Sequence, residues 1–268
     1  MLSIYNFLKV KLCYRTYWKQ WLAFLTMCFL VSACGSGDKK NDLEESNLNG
    51  KVKSVKQTIY SAVEKFGEPV KDEFKTQYVY YFNKDGFIKE TDVFNESDEL
   101  KERWKRKYDD DGNLIESNMY NSDGELEEKR KGKYDDDGNI VEAYIYDKYG
   151  ELKEKWKHKY DNDGNQIESS IYDKDGELKE RWKYKYYDDG NQTESNYYNE
   201  DEELKGSWVS KKDDDGNPIE LNYYEDGELM FKTEYEYKEF DNKNWLIRIG
   251  YEEEKATEII EREIEYYE

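Results

Sequence analysis

The chain has 268 residues with 63 acidic against 42 basic side chains, a formal net charge of −21. Such an excess of negative charge repels a phosphate backbone, so nucleic acid is excluded as a partner. Sixteen per cent of the residues are aromatic and only two are proline, which excludes an acidic disordered tail; at 36% hydrophobic residues, a thick aliphatic core is excluded too.

Residues 1–33 carry Lys9, Lys11, Arg15 and Lys19 and no acid; without those four cations the balance of −21 becomes −25. The apolar run "WLAFLTMCFLVSA" that follows Lys19 is too short for a transmembrane helix and has the flanks of a signal peptide. It closes on Val31-Ser32-Ala33-Cys34, which resembles the lipobox of bacterial lipoproteins. That resemblance implies cleavage before Cys34, lipid (palmitate-type) attachment to its thiol, and membrane association through that lipid. An ordinary secretory peptide with an incidental cysteine is the alternative. Cys13 and Cys28 lie in the segment to be removed, so Cys34 would be the mature chain's lone thiol, without a disulfide partner. Gly35 rather than Asp follows it, so the resemblance implies a cell-envelope location, the outer membrane, facing either the periplasm or the surface. Residues 34–48 then read as a polar, flexible linker.

From residue 49 onward the sequence is organised by turns. Gly86, Gly112, Gly138, Gly164, Gly190 and Gly216 recur every 26 residues, in "YDxDGN"-type turns. Gly124, Gly150 and Gly176 form a second series in "YDKDGEL"-type turns, with Glu202 in the next slot and Gly227 one residue early. Both turn types read as tight hairpins, with Asp bonding the local backbone and Gly taking the left-handed position. Between them the pattern has period two: Leu178, Glu180, Trp182, Tyr184 and Tyr186 share one face, and Lys179, Arg181, Lys183 and Lys185 the other. The prediction is an all-β domain: an elongated antiparallel β-meander of tandem 26-residue double hairpins in one twisted or coiled sheet. Residues 49–80 form an N-terminal cap, 81–235 the repeats and 236–268 a C-terminal cap. Laid flat at ~4.8 Å per strand, roughly sixteen strands would extend ~70 Å.

Tight two-residue turns would pair Tyr172 with Glu177 and Tyr160 with Asn165. That register sets Glu168 between Lys157 and Arg181, Glu116 between Lys105 and Lys129, and Glu142 between Lys131 and Lys155. It gives Glu194 only Lys183, with Ser207 on its other side, and sets Glu220 opposite Val209 and Glu90 opposite Val79. Ile167 would meet Trp182. On the other face Trp104, Trp156 and Trp182 would oppose Ser117, Ser169 and Ser195, and Trp208 would oppose Leu221.

The Tyr-Asp-x-x-Gly turns at Tyr108–Gly112, Tyr134–Gly138, Tyr160–Gly164 and Tyr172–Gly176 resemble the YD repeats of Rhs-type proteins over about residues 78–242. Where those repeats continue Gly-Arg-Leu, this chain has Gly-Asn or Gly-Glu-Leu, and residues 245–268 hold no counterpart of the self-cleavage region. A second resemblance is to MORN-variant repeat proteins, also Tyr/Gly-rich hairpins. Both imply repeat scaffolds, and neither supplies a catalytic residue.

No catalytic constellation emerges. An EF-hand loop starting at Asp161 needs an acid where Tyr172 stands, so no metal site is assigned. His158, the only histidine, occupies a slot filled by Arg106, Gly132, Tyr184 and Ser210 in other copies, which argues against catalysis. No enzyme activity and no cofactor are expected. The candidate binding face is the column Trp104, Trp156, Trp182 and Trp208, interrupted by Arg130; it could stack on a glycan, dock a protein, or simply fill the inside of a curled sheet. The leading expectation is a non-enzymatic, lipid-anchored envelope protein that acts as a binding or structural scaffold through its acidic sheet. An immunity protein neutralising a toxin and a carbohydrate-binding lipoprotein are the alternatives.

Overall fold

The computed structural model describes residues 40–186 and 192–268. The signal segment, Cys34 and Gly190 lie outside the described residues. The chain opens with a one-turn helix α1 (Asp42–Glu45) and continues in sixteen strands: β1 (Val52–Lys65), β2 (Glu68–Phe82), β3 (Ile88–Phe94), β4 (Leu100–Tyr108), β5 (Leu114–Asn121), β6 (Leu126–Tyr134), β7 (Ile140–Asp147) and β8 (Leu152–Tyr160), then β9 (Gln166–Asp173), β10 (Leu178–Tyr186), β11 (Gln192–Tyr198), β12 (Leu204–Lys212), β13 (Pro218–Glu225), β14 (Glu228–Asp241), β15 (Asn244–Glu252) and β16 (Lys255–Tyr266). Every strand pairs with its sequence neighbours, and β1 pairs antiparallel with β16, so the sheet closes into a barrel. This corrects the expected open meander. Closure satisfies both edges that a flat sheet would leave unpaired. The two "caps" of the sequence reading are the strands that meet, Ile59 facing Ile260 and Val55 facing Ile264.

The turns explain both the curvature and an error in the expected register. In the turn after β8, the Gly164 amide donates to the Asp161 carbonyl at 3.2 Å and the Asp161 amide to the Asn165 carbonyl at 2.9 Å. The loop is therefore one residue longer than a two-residue turn. A bulge follows: Tyr160 faces Gln166, but Lys159 faces Glu168, leaving Ile167 as the extra residue. The turn after β9 repeats the device, with Leu178 facing Tyr172 and Glu180 facing Ile171. Each hairpin thus slides two residues from the tight-turn register. Two is even, so every side chain keeps its face while its opposite number changes. Glu168 lies opposite Lys159 and Lys183, and Trp182 opposite Ser169 and Tyr197. Ile167 does not meet Trp182; it stands 38% exposed on its bulge, as do Ile115 (43%) and Ile219 (39%) on theirs.

The Asp and Gly of the turns have separate duties. Oδ1 of Asp173 accepts the amides of Asp175 and Glu177, each at 2.9 Å. Asn95 and Asn121 do the same in their turns, so the slot requires an acceptor and not a charge. Gly176 sits at φ 87°, where a Cβ is disfavoured. Glu202 occupies that slot after β11 at φ 62°, and Asp98 after β3 at φ 59°.

The tyrosine of "YDxDGN" is a tie-bar. Tyr108, Tyr134 and Tyr160 each donate a hydroxyl hydrogen bond to the carbonyl 20 residues earlier, at Ile88 (2.9 Å), Leu114 (2.9 Å) and Ile140 (3.0 Å). Tyr237 and Tyr267 make the same kind of bond to Pro218 and Phe82.

Residues 41–50 cross the mouth at this end of the barrel. The Leu43 amide donates to the Gly86 carbonyl, and the Asp42 carboxylate accepts from the Ile88 amide and shares the one Tyr108 hydroxyl proton with the Ile88 carbonyl. Further along, Asn47 reaches Asp215 and Asn217, and Asn49 is held by Asn244. Leu43 and Leu48 pack on Val52, Val55, Phe82 and Ile88.

Two stability outcomes follow. Tyr160→Phe removes one tie-bar and lowers unfolding free energy by about 1 kcal/mol in denaturant titration. Glu202→Gly relieves a left-handed non-glycine residue at the expense of one exposed ion pair to Arg181, so the variant unfolds at a higher temperature, by roughly 0.5–1 kcal/mol.

Candidate functional site inside the barrel

Closing the sheet turns its two faces into an outer wall and an inner lining. The outer wall is ionic. Glu116 bridges Lys107 (3.0 Å) and Lys129 (2.9 Å), Glu142 bridges Lys155 (2.6 Å) and Lys133 (3.8 Å), and Glu220 bridges Lys211 (2.7 Å) and Lys232 (3.1 Å). Glu168 takes Lys159 at 2.8 Å and Arg181 at 3.9 Å, Glu194 takes Lys185 at 2.9 Å, and Glu90 takes Arg103 at 3.3 Å. One partner of several expected rows survives the register slide because a lysine or arginine reaches diagonally across two residues. The pattern does not fade at the ends as the tight-turn register implied, since Glu220 has two lysines.

The lining is aromatic and arranged in layers. Along β4, β6, β8, β10 and β12 it runs from Leu at one mouth through Glu, then the tryptophan level, to the tie-bar tyrosines at the capped mouth, with Gly206 in the Glu slot of β12 and Lys212 in its last slot. Trp156 and Trp208 are each 7% exposed, and Trp104 and Trp182 are half-buried. Trp182 lies 5.4 Å from Trp208 and 5.0 Å from Tyr197 with the rings tilted; Trp208 lies 4.5 Å from Tyr223, which lies 5.1 Å from Phe231. Opposite each tryptophan on the preceding strand stands a small residue: Thr91, Ala143, Ser169 or Ser195. The four tryptophans therefore line an interior and do not form an outward platform. Arg130 does not open the column: its guanidinium lies 4.5 Å over the Trp104 ring and is paired with Glu128 at 2.7 Å.

Polar groups in this lining feel the burial. His158 has both ring nitrogens buried without a partner among the described residues, and burial pushes its pKa down to about 4, so it is neutral near pH 7. Burial raises the Glu180 carboxyl above the usual range. Glu154 is tethered by Lys179 (2.7 Å) and accepts from the Trp156 indole at 3.2 Å.

The unusual chemistry belongs to the non-repeating strands, which the sequence reading passed over. Arg248 on β15 and Arg262 on β16 both point inward. Arg262 lies 3.4 Å over the Trp245 ring, and its Nε donates to Gln57 Oε1 at 3.1 Å. Arg248 lies 4.6 Å over Tyr235 and pairs with Glu258 at 3.2 Å. Their signal was present: Arg262 stands in phase with Ile260 and Ile264, a charge on the apolar face of an alternating strand. Among the described residues no group of His, Cys, Asp and Glu is placed to hold a metal ion.

Comparison with known proteins fixes the architecture. No family model matches the chain, and no curated protein matches it by sequence. Among solved structures, a porin-like protein from Bacteroides uniformis superposes with a TM-score of 0.55 at 12% identity, covering 80% of this chain and 98% of that one. A porin-like protein from Bacteroides vulgatus gives a TM-score of 0.37 at 9% identity, over 81% and 98% of the two chains. At this identity the first likeness shows the fold alone, a closed antiparallel barrel. The Rhs/YD-repeat and MORN-variant kinship is overturned: the turn motif here encodes the hairpins of a closed sixteen-strand barrel, not a repeat shell.

The ion rows generate a pH dependence. Hydrogen bonds from Lys129 and then Lys107 hold Glu116 down at about 2, and Lys211 holds Glu220 at about 2. Both carboxyls titrate lower folded than unfolded, so their stabilisation is complete above about pH 4.5 and lost as pH falls towards 2. Glu180 and Glu258, raised by burial, oppose this by favouring the folded state once protonated. Thermal unfolding between pH 7 and 2 should show the melting temperature falling below pH 5, and falling less in a Glu116→Gln/Glu220→Gln double variant. Parallel curves for the two proteins would remove the ion rows from the stability of the barrel.

Proposed function

We propose that the protein is a non-enzymatic envelope protein, held to the membrane by lipid on Cys34, whose barrel stands in water as a binding or structural scaffold. The observation that carries this reading is the polarity of the wall. A membrane-spanning barrel turns apolar residues outward, and Lys or Arg at mid-membrane depth costs about 2–4 kcal/mol each. Here the outward mid-strand positions are Lys–Glu rows, with tyrosines such as Tyr144 and Tyr172 lying under lysines, and the tryptophans face in. The porin-like name of the structural neighbour thus carries an architecture to this chain and not immersion in lipid. A barrel with a hydrophilic wall requires a separate anchor to stay at a membrane, which is what the lipobox at Val31–Cys34 supplies. The wall, rich in paired charge, is the surface available to a partner protein.

The test is metabolic labelling with a palmitate analogue in a bacterium that processes lipoproteins. The wild-type chain should take up label and enter the detergent phase on phase separation. Cys34→Ala should lose the label and stay folded in the aqueous phase without detergent. A Cys34→Ala protein that remained in carbonate-washed membranes would defeat the proposal.

A further inference from the structure

We propose that Arg262 and Arg248 form an oxyanion site on the inner wall of the barrel, receiving the carboxylate or phosphate group of a small anionic ligand. The inference goes beyond the anchored-scaffold reading and does not need it.

The first observation is a balance of charge. Of the carboxylates felt in this part of the interior, Glu258 is committed to Arg248, and Glu252 and Glu102, which act on Tyr235 and Tyr78, make no ion pair with Arg262 among the described residues. Arg262 has no carboxylate within ion-pair distance among the described residues. Its only protein hydrogen bond there is the one from Nε to Gln57. A guanidinium carries five N–H donors, so four remain unassigned. Arg248 adds a fifth, because its Nε is buried without a partner. Burial and the neighbouring Arg248 lower the Arg262 pKa to about 9, which still leaves it charged at neutral pH. An uncompensated cation in such surroundings is costly unless an anion joins it.

The second observation is space. Arg262, Arg248, Tyr80 and Tyr235 all lie deep in the barrel, yet each is only partly buried. Their accessible surface faces the lumen. Arg262 is also held in orientation, its plane against Trp245 and its Nε fixed by Gln57, which leaves the two-pronged Nη edge to face a ligand. That edge matches two oxygens of a carboxylate or phosphate. Arg106, bound to Thr91 Oγ1 at 2.9 Å, adds a third cation that acts on Tyr80 together with Arg262.

The other stacked arginine of the lining shows what a purely structural arginine looks like here. Arg130 lies over Trp104 and is neutralised by Glu128. Arg262 has the ring and lacks the carboxylate.

The experiment is calorimetric titration and thermal unfolding of the full-length protein with sodium acetate and with inorganic phosphate, against chloride at equal ionic strength. We expect saturable heat and a rise of several degrees in melting temperature with at least one of the two. Acetate alone would assign a carboxylate ligand, phosphate alone a phosphate ligand. Arg262→Met keeps the stacked volume and removes the charge; it should melt in chloride at or above the wild-type temperature and lose at least tenfold in anion affinity. Arg262→Lys, which keeps charge without the fork, should fall between. No heat and no shift in the wild type with either anion overturns the site, as does undiminished binding in the substituted proteins that fold. Cys34→Ala should respond to anions like the wild type, so failure of the anchor and failure of the site are read separately.

Discussion

The structure depends on one constraint: an antiparallel sheet with its tryptophans on one face and its ion pairs on the other must close with the tryptophans inward. An aromatic face left open to water would forfeit the burial of its Trp and Tyr rings. An exposed Lys–Glu pair contributes only about 0.2–1 kcal/mol, and cross-strand aromatic pairs about 0.5–1.5 kcal/mol beyond their burial. The interior therefore sets the stability, while the wall sets solubility and register. Closure through β1 and β16 also removes the two edges on which such a sheet would otherwise recruit another chain. The same side-chain segregation thus answers for compactness, for solubility and for the absence of free edges.

Much of this was legible in the repeat. Period two along "ELKERWKYKY", the Asp/Asn–Gly turns and the Glu–Lys rows are local signals, and each copy repeats them. The opposite numbers were not legible. One extra residue in each loop and one bulge at Ile167 or Lys179 shift the register by two, and no residue type announces a bulge. Closure was hidden for a different reason. The repeats specify only how a strand meets its neighbour, and the bulges that accumulate into curvature are read only once the register is known. What distinguishes β1 and β16 is isoleucine and valine in place of tryptophan, with Val55, Ile59, Ile260 and Ile264 fitted to one another across the seam.

The candidate site was missed by the same logic. Attention to the repeat favours residues that recur, and a column of tryptophans recurs. In the structure that column is lining, packed ring on ring. Unique environments arise where the repeat stops, on β14, β15, β16, β1 and β2. There Arg248, Arg262, Glu258 and Trp245 meet across the β15–β16 hairpin. Closure completes the site: Gln57 and Arg262 face each other across the β1–β16 seam and are 205 residues apart in sequence.

The barrel's size sharpens the difference from a pore. A lumen widens with strand number, and sixteen strands in a membrane barrel enclose an aqueous channel. This chain packs tilted rings against one another in its interior, seats Leu43 and Leu48 at one mouth through a segment tied across it at Gly86 and Asp215, and leaves Arg262 and Tyr80 only partly buried. Relative to a membrane barrel both polarities are exchanged, with paired charge on the wall and tryptophans in the lumen. Against rings, the few inward cations are felt strongly: stacking and a Gln57 hydrogen bond orient the Arg262 guanidinium, and neither neutralises it. An interior built this way holds its arginine ready for an anion that the protein itself does not provide.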